Sequence, residues 1–308
     1  MHKYILRRLL LMLPVLLGVT FIIFTLTYFT EGDPARMILG IQASVEDVET
    51  LRDELGLNDT FFEQFIRYVG NVIRLDFGTS FDSRRPVFEE IISRFPTTMQ
   101  LASMSIVIAV LIGVPLGILS ATKQYTIFDT SANFVGLMGI SIPNFWLSMM
   151  LVLFFAVNLG WLPPSGFAGP RYWILPSISI GISSTAIIMR MTRSSMLEVI
   201  RQDYIRTARA KGQKESNIIF RHALKNALIP VITVVGIEVG VLLGGAILTE
   251  NIFSISGIGR FMVESIGKRD YPVIQGGVLL IALVFSFVNL LVDIIYAYVD
   301  PRIRSQYS

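Results

Sequence analysis

Leu9 to Phe29 is a run of 21 residues without a charge. As a helix rising about 1.5 Å per residue it is about 31 Å long, the thickness of a bilayer's hydrocarbon core. Five further stretches repeat the pattern. They predict spans at about Gln100–Ser120, Phe134–Val157, Tyr172–Met189, Leu228–Leu248 and Val273–Val299, with a charge only at Glu238 and Asp293 and an amide at Asn289 in the last two. One such run can be a buried core helix; six in one chain predict a polytopic all-α membrane protein with six transmembrane helices. Lys3, Arg7 and Arg8 precede the first run as in a signal peptide. That run exceeds a usual signal core and lacks a small-x-small cleavage site, so it reads as a retained span.

Composition agrees: 53% of residues are hydrophobic and 16% charged, against about 25% charged in soluble domains. This excludes an ordinary soluble enzyme, a disordered tail and a collagen-like fibre. The chain has no cysteine, which excludes a disulfide scaffold, an iron–sulfur centre and a thiolate zinc site.

Lysine and arginine set the orientation. With the N-terminus in the cytoplasm, 15 of the 26 basic residues fall inside, 4 in short outer loops, and 7 in the long segment 30–95 that such counting ignores. Both termini are expected in the cytoplasm, with 300–308 as a cytoplasmic tail. Segment 30–95 then lies outside, as a small helical insertion between the first two spans. It holds 13 of the 23 acidic residues. Ser44 with Asp47 caps a helix ending at Gly56, and Thr60 with Glu63 forms a capping box for a helix to about Arg74. Pro86 opens a third helix with Val87, Phe88, Ile91 and Ile92 as its apolar face. The insertion reads as a lid over the helix ends or as a docking surface for an outside partner.

Several spans carry features suited to close packing or to a wet pathway. Ser177, Gly181 and Ser184 belong to a polar cluster in the fourth span, and Gly236, Gly240 and Gly244 recur every four residues in the fifth. Ser141, Pro143 and Asn144 should kink the third span. Glu238 and Asp293 are costly in hydrocarbon and are expected to face the interior or a partner.

Catalytic signatures are missing. Gly267-Lys268 is followed by Arg269 and lacks the first glycine of a phosphate loop. No serine sits in a nucleophile elbow, and Ser120-Ala121-Thr122-Lys123 lacks the companion motifs of a serine–lysine enzyme. The two histidines, His2 and His222, cannot make a multi-histidine metal centre. A membrane enzyme is disfavoured, and if this chain moves anything uphill the energy comes from another chain.

The loop 190–227 holds nine basic residues. Topology accounts for the charge but not for its order, and nucleic-acid binding lacks an aromatic stacking set. Tyr204, Ile205, Arg206, Thr207, Ala208, Arg209, Ala210 and Lys211 form a short helix closed by Gly212 at C′. Ile205, Ala208 and Gly212 on one side suit entry into a groove, with Arg206 and Arg209 gripping an acidic rim. A second amphipathic stretch follows to Pro230. A helix–glycine–helix elbow joined to a span is a lever.

At this point the chain resembles the permease subunits of ATP-binding-cassette importers, specifically the first of the two permeases in the dipeptide, oligopeptide and nickel group. The resemblance rests on Gly32-Asp33-Pro34-Ala35-Arg36, Leu55-Gly56-Leu57, Asp76 to Ser80, Arg85-Pro86-Val87, Gly160 to Gly166, Asp203 to Gly212, Arg221 to Pro230 and Arg269 to Gly276, in family order. It implies that 204–212 is the coupling helix, with Arg206 where the superfamily's glutamate stands. It also implies a permease core at 96–299 and alternating access. The implied partners are a homologous second permease, two ATPases that carry ATP and magnesium, and an extracytoplasmic binding lipoprotein. No cofactor or metal is expected in this chain. Peptide, glutathione and nickel-chelate importers share this pattern. A self-sufficient secondary transporter would need inverted repeats, which are not seen at the level of motif, and a non-transporting receptor would need no coupling helix.

Overall fold

The apolar runs form the longest helices of the computed structural model, which describes residues 2–30, 32–40 and 42–299, with backbone alone at 2–4 and 296–299. The expected tail, with Arg302 and Arg304, lies outside the described residues. Among these residues there is no strand, only a bridge pairing Thr79 with Pro86.

Helix α1 (His2–Phe29) contains the predicted first span. Three short helices follow. In α2 (Pro34–Leu39), unpredicted, Asp33 accepts a hydrogen bond from the Ala35 N–H and proline stands at the first helical position. In α3 (Val45–Glu54) the Ser44 hydroxyl accepts from the Asp47 N–H at 3.1 Å. In α4 (Phe61–Ile73) the Thr60 N–H donates to Glu63 at 3.0 Å, closing the expected capping box. Gly56 ends the α3 turn at φ +63°, a left-handed conformation that glycine adopts without penalty.

The third helix expected at Pro86 is not separate. It runs on as α5 (Val87–Thr122), 36 residues passing through Pro96 and Pro115. No glycine or capping residue offers a stop before Pro96. Packing of Val87 and Ile91 against Ile258, Met262 and Val273 rewards continuation. The boundary expected at residue 95 therefore falls inside a helix.

The third predicted span is broken. Helix α6 (Ile127–Ser141) meets α7 (Asn144–Leu151), which unwinds into a π-helical stretch (Val152–Asn158), and the two halves bend by 102°. The expected kink is a full break. Pro143 forces Ile142 into extended backbone (φ −81°, ψ 124°), so the helix must stop and restart.

Helix α8 (Pro170–Ile200) is followed by α9 (Asp203–Ala210). Then α10 (Glu215–Asn217), a π-helical stretch (Ile218–Ala223) and α11 (Leu224–Ile252) join into one 38-residue rod. A short helix missed from sequence, α12 (Ile258–Lys268), precedes α13 (Tyr271–Val299).

Helix directions fix the topology. A Cβ on Gly113 would lie 2.8 Å from the Thr185 carbonyl, and one on Gly117 would lie 2.6 Å from that of Met189. Positions thus advance together along α5 and α8, and the two helices are parallel. The chain must cross back between them, so the bent α6–α7 pair counts as the sixth crossing beside five straight ones. Helices α11 and α13 run antiparallel, with Gly236 under Val292 and Gly240 under Phe285. So do α1 and α13, with Thr27 bonded to Gln275 at one end and Arg8 paired with Asp293 at the other. Residues 2 and 299 therefore lie on the same side as α9, and α2–α4 and α12 lie on the opposite side.

At Gly113 and Gly117 the α5–α8 contact has no room for a side chain, and Gly117→Val should force the helices apart. We expect a loss of about 1–3 kcal/mol, read as a lowered thermal midpoint in detergent. An unchanged midpoint would contradict the close approach.

Candidate functional site

Helix α9 is eight residues long, too short to persist alone in water. It is held by its apolar stripe. Ile205 is fully buried and Ala208 nearly so, in a cluster with Met196 and Val199 of α8, Ala121 of α5, and Ile218, Ala223 and Ala227 of the rod. This overturns the expectation that the stripe enters a partner's groove, since the stripe is spent on docking α9 to its own bundle. Gly212, at φ +74°, is exposed. The outward surface is Asp203, Arg206, Thr207, Ala210 and Lys211.

The turn after α9 is a Schellman closure. The Gln213 N–H donates to the Ala208 carbonyl at 3.3 Å and the Gly212 N–H to that of Arg209 at 2.9 Å, with Gly212 left-handed at C′. Arg209 spans the turn to Glu215 at 2.8 Å, and Asn226 donates to the Tyr204 hydroxyl at 2.7 Å. His222 shares a 2.8 Å hydrogen bond with Gln213. Each arm of the elbow is thus tied to the other, and the longer arm is continuous with α11.

Just before the elbow, Arg193 makes a bidentate pair with the buried Asp129 at 2.7 and 2.8 Å. Asp129 also accepts from Ser120, from the Tyr125 N–H and from Asn133. One carboxylate therefore binds the ends of α5, α6 and α8 together beside α9. Asp129 went unremarked in the sequence because it borders an uncharged run. Its signal was a single acid preceding a predicted span.

Deeper in the bundle, Ser184 donates to Glu238 at 2.6 Å, joining α8 to α11, and Ser183 donates to Asn144 at 2.8 Å. Gly181 packs on the Ser105 backbone. Ser141 is exposed and bonds within its own helix, and Pro143 marks the break. Ser177 is buried, and its hydroxyl has no partner among the described residues. The glycine stripe splits. Gly236 and Gly240 accommodate α13, whereas a Cβ at Gly244 would meet nothing within 4 Å. Steps of four residues overshoot a 3.6-residue turn by about 40°, so the stripe winds away from its first neighbour. Asp293 is met by Arg8 at 3.1 Å. Among the described residues no group of three or more potential metal ligands occurs.

Residues 113–305 match the family of binding-protein-dependent transport system inner membrane components, and residues 1–102 match that family's N-terminal segment. This chain belongs to that permease family. It is a multi-pass, non-catalytic membrane subunit of an ABC importer of the dipeptide/oligopeptide group, working with ATPase and substrate-binding partners. The permease is 46% identical to the dipeptide transport system permease DppB of Alkalihalophilus pseudofirmus, covering 99% of this chain and all of the relative. It is 44% identical to the glutathione transport system permease GsiC of Salmonella paratyphi A, over 99% of each. Its fold is similar to a chain of the inward-facing MetNI methionine ABC transporter, with TM-score 0.58, 20% identity, and coverage of 68% of this chain and 96% of that one.

Two buried carboxylates of the permease were invisible as pairs in the sequence. Glu250, fully buried at the end of α11, accepts from Thr98 at 2.6 Å and from the Arg260 N–H at 3.1 Å, while the Ile258 N–H donates to Thr98 at 2.9 Å. The carboxyl group thus sits at the N-terminus of α12, where it accepts from the Arg260 N–H directly and from Thr98, which in turn receives the Ile258 N–H. Its sequence signal was an acid closing a span before Gly257 and Gly259, whose added side chains would overlap it. Asp270, between α12 and α13, accepts from the Ser80 hydroxyl at 2.5 Å and the Phe81 N–H at 3.1 Å. Two of the sequence motifs, 76–80 and 269–276, therefore meet. Nearby, the Lys268 ammonium is held above its usual range by the Asp82 carboxylate at 2.5 Å. Glu250→Ala should leave Thr98 and the first α12 amides without an acceptor. A loss of about 2–3 kcal/mol is expected, with α12 amides exchanging first in hydrogen-exchange mass spectrometry. Unchanged protection of α12 would contradict the clamp.

Proposed function

We propose that this permease forms half of the translocation pathway of an ATP-driven importer of di- and oligopeptides, in the cytoplasmic (inner) membrane of a bacterium or archaeon. Its other half is a homologous second permease. Two ATPases bind ATP and magnesium, and an extracytoplasmic lipoprotein delivers the substrate. Both ends of the chain, with α9, lie in the cytoplasm, and α2–α4 lie outside.

The observation that carries this reading is the elbow. Helix α9 is fastened by Ile205 and Ala208 to the ends of α8 and of the α11 rod, and presents Arg206, Thr207, Ala210 and Lys211 outward. A partner pressing on that face moves two spanning helices at once. In alternating access, closure of the ATPases on ATP pushes α9 and opens the pathway outward, and hydrolysis returns it to the inward-open form. Ser177, Ser184, Glu238 and Gly244 stand on the two helices so driven, as candidate pathway or interface positions.

Full-length identity to a dipeptide permease supports peptides, and nearly equal identity to glutathione permeases supports a second reading, glutathione itself. Competition in proteoliposomes holding the complete transporter tests the choice. ATP-driven uptake of a labelled dipeptide should be displaced by unlabelled di- and tripeptides and not by glutathione or a nickel chelate. ATP-driven uptake of labelled glutathione with none of the labelled dipeptide would replace the peptide reading.

A further inference from the structure

Helix α4 carries an apolar face that plays no part in the elbow. At about 100° per residue its side chains fall into sectors around the helix. Phe61, Phe65 and Tyr68 form one, packed on α1: Phe65 lies 5.4 Å from Phe21, Phe61 lies 5.4 Å from Phe24, and Tyr68 lies 5.5 Å from Phe24, ring centre to ring centre. Glu63, Arg67 and Asn71 form a polar sector on the far side. Between these two lie Phe62, Ile66 and Ile73, exposed by 69%, 69% and 77%. Such a strip on a water-facing helix would cost solubility for no return.

The depth of α4 can be read from α1. Its polar ties to α13, Arg8 to Asp293 and Thr27 to Gln275, are separated by about 28 Å of helix, close to the roughly 30 Å of a hydrocarbon core. They mark the two faces of the apolar layer. Phe24 and Phe21 then sit about 4.5 and 9 Å inside the Thr27 level. The rings of α4 touch both, and Phe61 also meets Tyr28 at 5.0 Å and Phe29 at 6.2 Å just beyond the Thr27 level. Helix α4 therefore straddles the level where interfacial helices rest, about 5–10 Å into the headgroup boundary. Beside it α1 also exposes Ile22 and Leu26, within the same layer.

We infer that α4 is an interfacial helix, and that acyl chains of the leaflet at the C-terminal end of α1 cover Phe62, Ile66 and Ile73. One side of α4 holds α1, the next meets lipid, and the polar sector meets headgroups and water. Segment 30–95 is thereby anchored on the membrane rather than standing clear of it, whichever substrate is carried.

The chain has no cysteine, so single-cysteine variants can be spin-labelled directly. The full chain, labelled before assembly with cysteine-free versions of its partner subunits, is placed in nanodiscs of phosphatidylethanolamine and phosphatidylglycerol. Labels at 62, 66 and 73 should collide with oxygen over a water-soluble nickel chelate several-fold more than labels at 63 and 71. Equal ratios would put the strip in water, and labels shielded from both reagents would put a protein there; either result overturns the inference. Phe62→Trp preserves the apolar contact and needs no label. Its added emission should be quenched by brominated acyl chains, and unquenched emission would also overturn the inference.

Discussion

Ile205→Asp should abolish ATP-driven uptake while leaving the spanning bundle folded. Ile205 is fully buried among Met196, Ile218 and Ala223. An unpaired carboxylate there costs about 4 kcal/mol or more. The local structure can avoid that cost by releasing α9, because an eight-residue helix has little stability of its own. The spanning helices hold one another through contacts elsewhere and remain. Limited proteolysis should therefore open new cuts between Asp203 and Lys214 with the rest resistant, and substrate-stimulated ATP hydrolysis should fall to its unstimulated level. Arg206→Ala is the complementary change. Its side chain is exposed and paired only weakly with Asp203 at 3.6 Å, so stability should move by less than about 0.5 kcal/mol while uptake drops. Wild-type uptake by Ile205→Asp would remove the elbow from the mechanism.

Arg193→Ala should destabilise the bundle beside the elbow strongly. It strands Asp129, which is 6% exposed at its side chain. Removing one partner of a buried pair costs about 3–5 kcal/mol. The lower end applies, since Ser120, the Tyr125 N–H and Asn133 still donate to Asp129. Arg193→Lys should recover only part of the loss, because an ammonium cannot reproduce the bidentate fork. Asp129→Asn combined with Arg193→Ala should be more stable than Arg193→Ala alone, as no buried charge remains. Thermal midpoints of the purified variants check this order. A double variant no better than the single one would show that the pair does not bind the ends of α5, α6 and α8 as described.

Local rules carried most of the fold. Charge-free length located the spans, Ser44 and Thr60 started helices as their hydroxyls require, and Pro143 broke the third span through its constraint on Ile142. Gly212 closed α9 because only a left-handed residue fits there. Partnership between distant residues was not legible. Asp129 and Arg193, Thr98 and Glu250, and Ser80 and Asp270 are paired by the bundle, and no spacing rule announces them. An apolar stripe also does not name its neighbour: Ile205 and Ala208 pointed to a groove, and the groove proved to be the chain's own. Continuity was misjudged where tertiary packing outweighed a proline, as at Pro96 in α5. The unpredicted α12 owes its start to Glu250, on the preceding helix.

The central claim is that the permease is a passive gate driven through α9. Proteoliposomes containing this chain alone, with a proton or sodium gradient imposed, should accumulate no labelled dipeptide. Vesicles that also hold the second permease, the ATPases and the binding lipoprotein should accumulate it when ATP is supplied. Gradient-driven accumulation by the chain alone would contradict the account.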